Sequence, residues 1–295
     1  MRIPMKWTQS AVGMSVVLVL AGSLAWAGDP IPMFGDYTVI APLIPARLGA
    51  FKIAENESPR PQDRVYLNYN FYDDIKRDLA PGREDTHRET LGVEKTLFGD
   101  ASVGLRLPFF QGRDGHDFTV GDLSFVLKYA PIHDQQLGNA LSLGLVVTVP
   151  TGEAPQRRVV KRGENVHAAY FQPFIGYVWN LGDLYLHAFH SVLVPTDADD
   201  ATVLFNDIGV GYWAYRGGAD QFLTGVIPTF EVHVNTPLRH RSASDLQRYR
   251  DTVDLTAGVH FELNKRYLLG LAAAAPVTNR GGFDFEVIAN FNFRF

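Results

Sequence analysis

Apolar and polar residues alternate along the final segment of the chain, residues 283–295. Successive side chains of a β-strand point to opposite faces, so this segment is predicted to be a strand with one apolar face and one polar face. An apolar face in contact with lipid and a polar face lining a lumen would explain the length of the segment and its many aromatic residues. The apolar parity contains Phe283, Phe285, Val287, Ala289, Phe291, Phe293 and Phe295, and the polar parity contains Asp284, Glu286, Asn290, Asn292 and Arg294.

Eleven earlier runs of strand length show a related pattern, which gives twelve candidate strands within residues 64–295. The alternation is clearest in Ala140–Val149 and Thr252–Leu263 and weakest in Arg88–Phe98 and Asp183–Val194. Single-chain bacterial barrels have an even number of strands, and tilted strands of about 9–11 residues are long enough to cross a bilayer. The other candidate strands are Arg64–Tyr72, Ala101–Phe109, Thr119–Ala130, His167–Trp179, Val203–Tyr215, Gln221–Val234, Arg266–Ala275 and Phe283–Phe295.

Short and long connections between these runs also alternate. Gly99-Asp100 and Asn264-Lys265 are short and follow even-numbered runs, whereas Pro150–Val166 and Asn235–Asp251 are long and follow odd-numbered runs. Barrels with both chain ends in the periplasm show this asymmetry. The pattern therefore predicts an all-β fold, a transmembrane antiparallel up-and-down β-barrel of about twelve strands. Aromatic residues near the strand ends predict the girdles at the two membrane interfaces: Phe71, Phe109, Tyr129, Tyr177, Trp179, Phe222, Phe261, Tyr267, Phe283 and Phe295.

The chain begins with a separate unit, residues 1–27. Arg2 and Lys6 precede an apolar stretch, and Ala25-Trp-Ala27 then provides the small residues that a signal peptidase requires. This pattern predicts a cleaved secretory signal peptide. Residues 28–63 follow as an irregular N-terminal segment, whose six prolines disfavour a central strand. The segment could be a periplasmic tether or a plug inside the barrel, and the pattern favours the tether.

Composition excludes several other classes of protein. The full chain carries a net charge of −5, and removal of Arg2 and Lys6 with the signal peptide would leave −7, which disfavours nucleic acid as a partner. The chain has no cysteine and therefore neither a disulfide nor a thiolate metal site. No run after residue 27 approaches the roughly 18 apolar residues of a spanning helix. No cofactor and no metal are predicted.

The polar face of the predicted barrel contains charges of both signs. They could line a narrow polar pathway with an acidic bias, or they could pair and close the lumen, since twelve strands lie between small filled barrels and wide porins. The pattern favours the narrow pathway. The predicted lumen-lining residues are Arg106, Asp122, Lys128, Asp207, Glu231, His233, Asp254, His260, Glu262, Asp284, Glu286 and Arg294.

One histidine–serine pair requires comparison with outer-membrane hydrolases, which carry a His and a Ser two residues apart on one strand. Here His190 and Ser191 are adjacent, so they point to opposite faces and cannot share a proton. His187 shares a face with Ser191 but is about 13 Å away at the rise of a strand. No catalytic residue is therefore predicted, although a serine from another strand could still complete a site.

Two adjacent stretches, Val120–Ala130 and Leu141–Glu153, resemble the outer-membrane barrels grouped under the MetA-pathway of phenol degradation. Members of that family are described as transporters of aromatic or other hydrophobic compounds. The final strand, which ends at Phe295, resembles the closing strand of bacterial outer-membrane barrels, which the barrel assembly machinery recognises. The resemblance implies a Gram-negative outer-membrane transporter but assigns no substrate residue.

Three functions remain open at this point. The first is a channel for passive uptake of small hydrophobic or aromatic solutes, the second a structural or surface-interaction barrel with a blocked lumen, and the third an outer-membrane hydrolase. The expected partners are outer-membrane lipid, the assembly machinery and a small solute. Basic residues in two predicted outer loops could also bind lipopolysaccharide phosphates: Arg157, Arg158, Lys161 and Arg162 in one loop, and Arg239, His240, Arg241, Arg248 and Arg250 in the other.

Overall fold

The computed structural model describes residues 31–36, 52–76, 83–112, 118–134, 136–152, 168–197, 201–218, 220–239, 250–278 and 283–295. The expected signal peptide and most of the basic loop residues named above lie outside these ranges. Among the residues described, no helix is long and apolar enough to cross a membrane.

Fourteen strands are present within the described residues. Twelve are long, and two, β4 and β10, contain three and two residues. In chain order they are β1 (Arg64–Lys76), β2 (Arg83–Leu97), β3 (Ala101–Gly112), β4 (Phe118–Val120), β5 (Leu123–His133), β6 (Ala140–Val149), β7 (Tyr170–Leu181), β8 (Leu184–Pro195), β9 (Val203–Tyr212), β10 (Tyr215–Arg216), β11 (Leu223–Pro237), β12 (Thr252–Leu263), β13 (Tyr267–Pro276) and β14 (Phe285–Arg294).

The twelve long strands form a closed antiparallel ring. Each long strand pairs with the next one along the chain, and β14 pairs with β1 in a register that places Arg64 opposite Arg294. The three-residue connection between β12 and β13, residues 264–266, uses positive φ angles at Asn264 and Lys265, which suit the twist of a tight hairpin. Closure pairs the strand edges within the ring, as a bilayer requires. The predicted twelve-stranded up-and-down barrel is confirmed.

Two predicted runs are interrupted. The run Thr119–Ala130 divides at Gly121-Asp122, because Pro108 on β3 has no N–H and the β3–β5 pairing ends at Arg106 opposite Ser124. The amide of Gly121 instead donates to the carbonyl of Pro108 at 2.8 Å. The run Val203–Tyr215 divides at Trp213, whose ring is buried.

Side chains of the strands alternate between an apolar exterior and a polar interior. On β5, Leu127 is 49% exposed whereas the next residue, Lys128, is 3% exposed. One predicted girdle residue is wrongly placed: Phe283 is 1% exposed and makes an edge contact with Tyr72, with 6.1 Å between ring centroids. Because β14 begins only at Phe285, the parity of the strand does not extend to Phe283.

The lumen contains two pieces of the N-terminal segment, residues 31–36 and 52–60, which we call the plug. Met33 and Ile53 are buried against wall residues of β5–β8, and the amide of Met33 donates to the carbonyl of Glu57 at 2.9 Å. The two pieces therefore contact each other as well as the wall. This arrangement is the plug and not the tether that the sequence pattern favours. The pattern could not indicate it, because the contacts join residues that are distant in the sequence.

An arginine on the exterior should be costly only at mid-strand. Leu127→Arg should lower the free energy of unfolding from lipid by about 2–4 kcal/mol, because the residue faces the hydrocarbon core near the middle of β5. Ile132→Arg is a matched control, since Ile132 is equally exposed but lies near the end of the same strand, where the cost falls to about 0–1 kcal/mol. Denaturant titration of both variants in lipid vesicles measures the difference. Equal costs would contradict the assigned exterior.

Candidate functional site

One side of the lumen carries four buried cations, which we call the basic cluster: Arg64 on β1, Arg88 on β2, Arg106 on β3 and Lys128 on β5. Each lies at an inward position of its strand, and neighbouring inward positions on paired strands bring their side chains together. The basic cluster faces the plug.

Two carboxylates of the plug bind the basic cluster. Glu57 Oε1 lies 2.9 Å from Arg64 Nη2 and 2.7 Å from Lys128 Nζ, and the other oxygen of Glu57 pairs with Arg106. Glu55 pairs with Arg88. Both oxygens of Glu57 are thus engaged in charge-assisted hydrogen bonds, which are stronger than neutral ones.

Further contacts hold the plug at the same place. Lys128 Nζ donates to the carbonyl of Ser58 at 2.8 Å, and Arg64 donates to the carbonyl of Asn56 at 2.7 Å. The wall residue Glu94 accepts from Arg64 at 2.9 Å and from Lys128 at 2.8 Å. Glu94 therefore positions two of the cations that Glu57 binds.

The charge of Glu57 is stabilised by these neighbours. Burial alone would raise the pKa of the Glu57 carboxyl, but the surrounding cations, Lys128 first among them, outweigh burial and lower the pKa from 4.5 to about 2. For Glu55, burial dominates over the attraction of Arg88, and the pKa lies above its ordinary value.

The opposite side of the lumen is mainly acidic. Glu231 on β11 accepts from two consecutive plug amides, Phe34 N at 2.8 Å and Gly35 N at 2.9 Å, one on each carboxylate oxygen. The hydroxyl of Thr256 on β12 donates to the carbonyl of Gly35 at 3.0 Å. The ring of Phe34 stacks on His260, with 3.9 Å between centroids. Backbone and ring contacts thus fix residues 31–36 against this wall.

A second ion-pair group joins both pieces of the plug to the acidic wall. Lys52 Nζ pairs with Asp36 and lies 2.6 Å from Asp207 on β9. His233 Nδ1 on β11 lies 2.9 Å from Asp207. Burial would raise the pKa of Asp36, but the charges of His233 and Lys52 hold it below its ordinary value.

Asp36, Asp207 and His233 also have the composition of a metal site, since their ligand atoms lie within 4.8 Å of one another. The ammonium group of Lys52 pairs with both carboxylates and already supplies the positive charge that they require. These residues therefore act as an ion-pair group that holds the plug.

Ten of the twelve predicted lumen residues are buried on inward positions: Arg106, Lys128, Asp207, Glu231, His233, Asp254, His260, Glu262, Glu286 and Arg294. Asp122 and Asp284 are wrongly placed on the lumen face. Asp122 lies in the break between β4 and β5 and accepts from Gly152 N at 2.9 Å, and Asp284 is exposed just before β14 begins. It stays a prediction that these ten residues line a solute pathway.

Several residues that join the plug to the wall were not predicted. On β2, Arg88 and Glu94 share the inward parity with Thr90, and the opposite parity contains Leu91 and Val93, so the faces could have been recognised. Polar residues at both ends of the outward face of β2 made its two faces hard to distinguish in the sequence. The plug residues themselves carry no periodic signal, because an irregular segment has no defined face. These unpredicted residues are Asp36, Lys52, Glu55, Glu57, Arg64, Arg88 and Glu94.

The histidine and serine residues of β8 occupy separate environments. His187 is buried in the lumen, and His190 is half-buried and forms a hydrogen bond with Asn206 at 2.8 Å. Ser191 is buried and accepts from Gln172 at 3.0 Å. His190 and Ser191 therefore belong to different faces of the strand.

Comparisons with known proteins give structural neighbours only. No protein-family model and no curated protein matches the chain, so the resemblance to the MetA-pathway barrels is not confirmed. The structure is similar to the COG4313 outer membrane channel from Pseudomonas putida F1, with a TM-score of 0.57 and 13% identity over 81% of this chain and 97% of that one. It is also similar to the NanC porin, with a TM-score of 0.49 and 11% identity over 78% and 98% of the two chains.

At these identities the similarity shows the fold, which is that of outer-membrane β-barrels. This fold and the apolar exterior place the chain in the outer membrane. The cleaved signal peptide stays a prediction, since residues 1–27 lie outside the described residues.

Removal of the Glu57 charge should destabilise the plugged barrel. Glu57→Gln should cost about 3–5 kcal/mol, because it leaves buried cations without their compensating charge. Asp63→Asn is the matched control, since Asp63 belongs to the same segment but pairs with the largely exposed Lys95. The measurement is the temperature at which the folded band is lost in heat-modified gel mobility. Equal shifts in the two variants would show that the lumen contacts of Glu57 are not stabilising.

The contribution of Glu57 should also depend on pH. Because its pKa is lowered in the folded protein, the carboxylate stabilises the fold fully above about pH 4.5, and this contribution is lost as the pH falls towards 2. The stability difference between wild type and Glu57→Gln should therefore shrink over that interval. A difference that stays constant from pH 7 to pH 2 would contradict a charged, cation-bound Glu57.

Proposed function

We propose that the chain is an outer-membrane channel for passive uptake of small solutes, and that the plug controls passage through the lumen. The observation that carries this proposal is a lumen wall of buried charged residues that binds a separate, non-strand segment through non-covalent contacts. Such a segment can leave and return without breaking the barrel's hydrogen-bond ring.

The energetics favour a pathway over a permanently filled core. Buried ion pairs are often no more stabilising than apolar side chains of similar volume. A barrel that only had to be sealed could instead pair an apolar wall with an apolar plug. The charged wall and its exchangeable partner are better explained if the lumen is exposed to water for part of the time.

The solute class is suggested by apolar residues of the lumen. Tyr72, Ile75, Phe110 and Phe283 form a buried cluster near the ends of β1 and β3 that lie away from the tight β2–β3 turn. An aromatic lining at that mouth suits a small hydrophobic or aromatic solute. The resemblance to the MetA-pathway barrels favours the same solute class. The neighbour from Pseudomonas putida is named as a channel and supports only the channel role.

A barrel with a permanently blocked lumen is the second candidate. It is favoured by the number of buried contacts on both pieces of the plug, since each ion pair raises the cost of withdrawal. The two candidates differ in whether loosening the plug opens a water-filled path.

Single-channel recording in planar bilayers separates these candidates. Glu231→Gln removes the charge that binds the amides of Phe34 and Gly35, so it should raise the fraction of time in the open state at least several-fold over wild type. Asp183→Asn is the control, because Asp183 is an exposed acid in the β7–β8 turn and should leave the current unchanged. Folded Glu231→Gln protein that stays silent would favour the blocked barrel.

A further inference from the structure

The basic cluster has more positive charge than the wall around it neutralises. Four cations share this side of the lumen, and the wall carboxylate Glu94 pairs with two of them, Arg64 and Lys128. The two plug carboxylates, Glu55 and Glu57, supply the remaining negative charges. The basic cluster therefore binds two carboxylates that do not belong to the barrel strands.

The binding of Glu57 has the geometry of carboxylate recognition. Three cations surround one carboxylate, and the two oxygens are divided between them, with Arg64 and Lys128 on one and Arg106 on the other. Guanidinium groups suit this task because their donors form a rigid planar fork. Arg88 on β2 binds the other plug carboxylate, Glu55.

Aromatic rings lie beside these cations. The guanidinium of Arg88 lies 5.7 Å from the ring centroid of Tyr72, and that of Arg64 lies 4.6 Å from the ring centroid of Tyr66. Tyr72 in turn contacts Phe283 in the apolar cluster. A carboxylate-binding position and an apolar, ring-lined surface thus adjoin each other at Arg88.

We propose that the basic cluster is a binding site for the carboxylate of a small aromatic acid, and that Glu55 and Glu57 occupy this site while the plug is in place. This inference rests on the proposed channel, whose solute it specifies. As the plug withdraws, an incoming acid takes over the contacts of Glu55 and Glu57, so that the buried cations keep a compensating charge. The solute and the plug therefore compete for one site.

Calorimetric titration of the purified full-length protein with benzoate tests the site independently of conduction. The Glu55→Gln/Glu57→Gln variant should bind benzoate at least tenfold more tightly than wild type, because its plug no longer competes as an anion. Benzylammonium, which has the same ring and the opposite charge, should not bind more tightly to the variant. Asp63→Asn should behave as wild type, since Asp63 does not contact the basic cluster.

A third substitution assigns the binding to the basic cluster. Arg106→Gln added to the double variant should remove at least tenfold of the gained affinity. Equal affinity of wild type and double variant for benzoate, or an equal gain for benzylammonium, would overturn the proposal.

Heat-modified gel mobility checks folding. If the double variant does not fold, Glu55→Gln alone serves instead, because it leaves the cations around Glu57 paired. It should bind benzoate at least threefold more tightly than wild type, since Arg88 loses its competing anion, and unchanged affinity would overturn the proposal.

Bilayer recordings of the same proteins separate this inference from the channel itself. Benzoate binding by the double variant together with silence in every recording would contradict the channel while supporting the site. Open currents in the double variant without tighter benzoate binding would support the channel and contradict the carboxylate site.

Discussion

Ion pairing between the plug and the barrel wall is the interaction on which the rest of the lumen depends. Glu57 is bound by Arg64, Arg106 and Lys128, and these cations would otherwise be buried with too little opposite charge. On the other wall, Lys52 has the reverse role between Asp36 and Asp207. The buried charges of the wall are compensated by those of the plug, and those of the plug by the wall, so that neither set is buried without opposite charge.

Barrel size explains why a separate segment occupies the lumen. A ring of twelve strands encloses more space than its own side chains fill with ease, and it is narrower than a water-filled porin. A separate segment with its own side chains and backbone donors can fill that space. Glu231 provides an example, since it accepts hydrogen bonds from the backbone amides of Phe34 and Gly35. An irregular segment has such amides available because its backbone is not paired with a neighbouring strand.

The fold and much of the lumen wall were predictable from local pattern, and the contacts between the wall and the plug were not. Ala140–Val149 and Thr252–Leu263 have the predicted bounds, because alternation and turn residues are local signals. Phe283 and Asp284 were wrongly placed, since parity carries no information beyond the end of a strand. The plug was the less favoured of two alternatives, because its position is set by pairings such as that of Glu57 with Lys128, seventy-one residues apart, for which the sequence contains no periodic signal.

If solute passage requires the plug to leave its place in the lumen, a covalent link between plug and wall should stop it. The chain has no cysteine, so a pair introduced by Asn56→Cys and Asn292→Cys would be the only thiols, at positions whose side-chain amides now exchange hydrogen bonds at 3.1 and 3.2 Å. A short, reducible bifunctional thiol reagent would connect plug and wall, and single-channel current would be recorded before and after reduction. The channel should be silent while the link is intact, and openings should return when the link is reduced. Equal current in the linked and reduced protein would show that passage does not require the plug to leave.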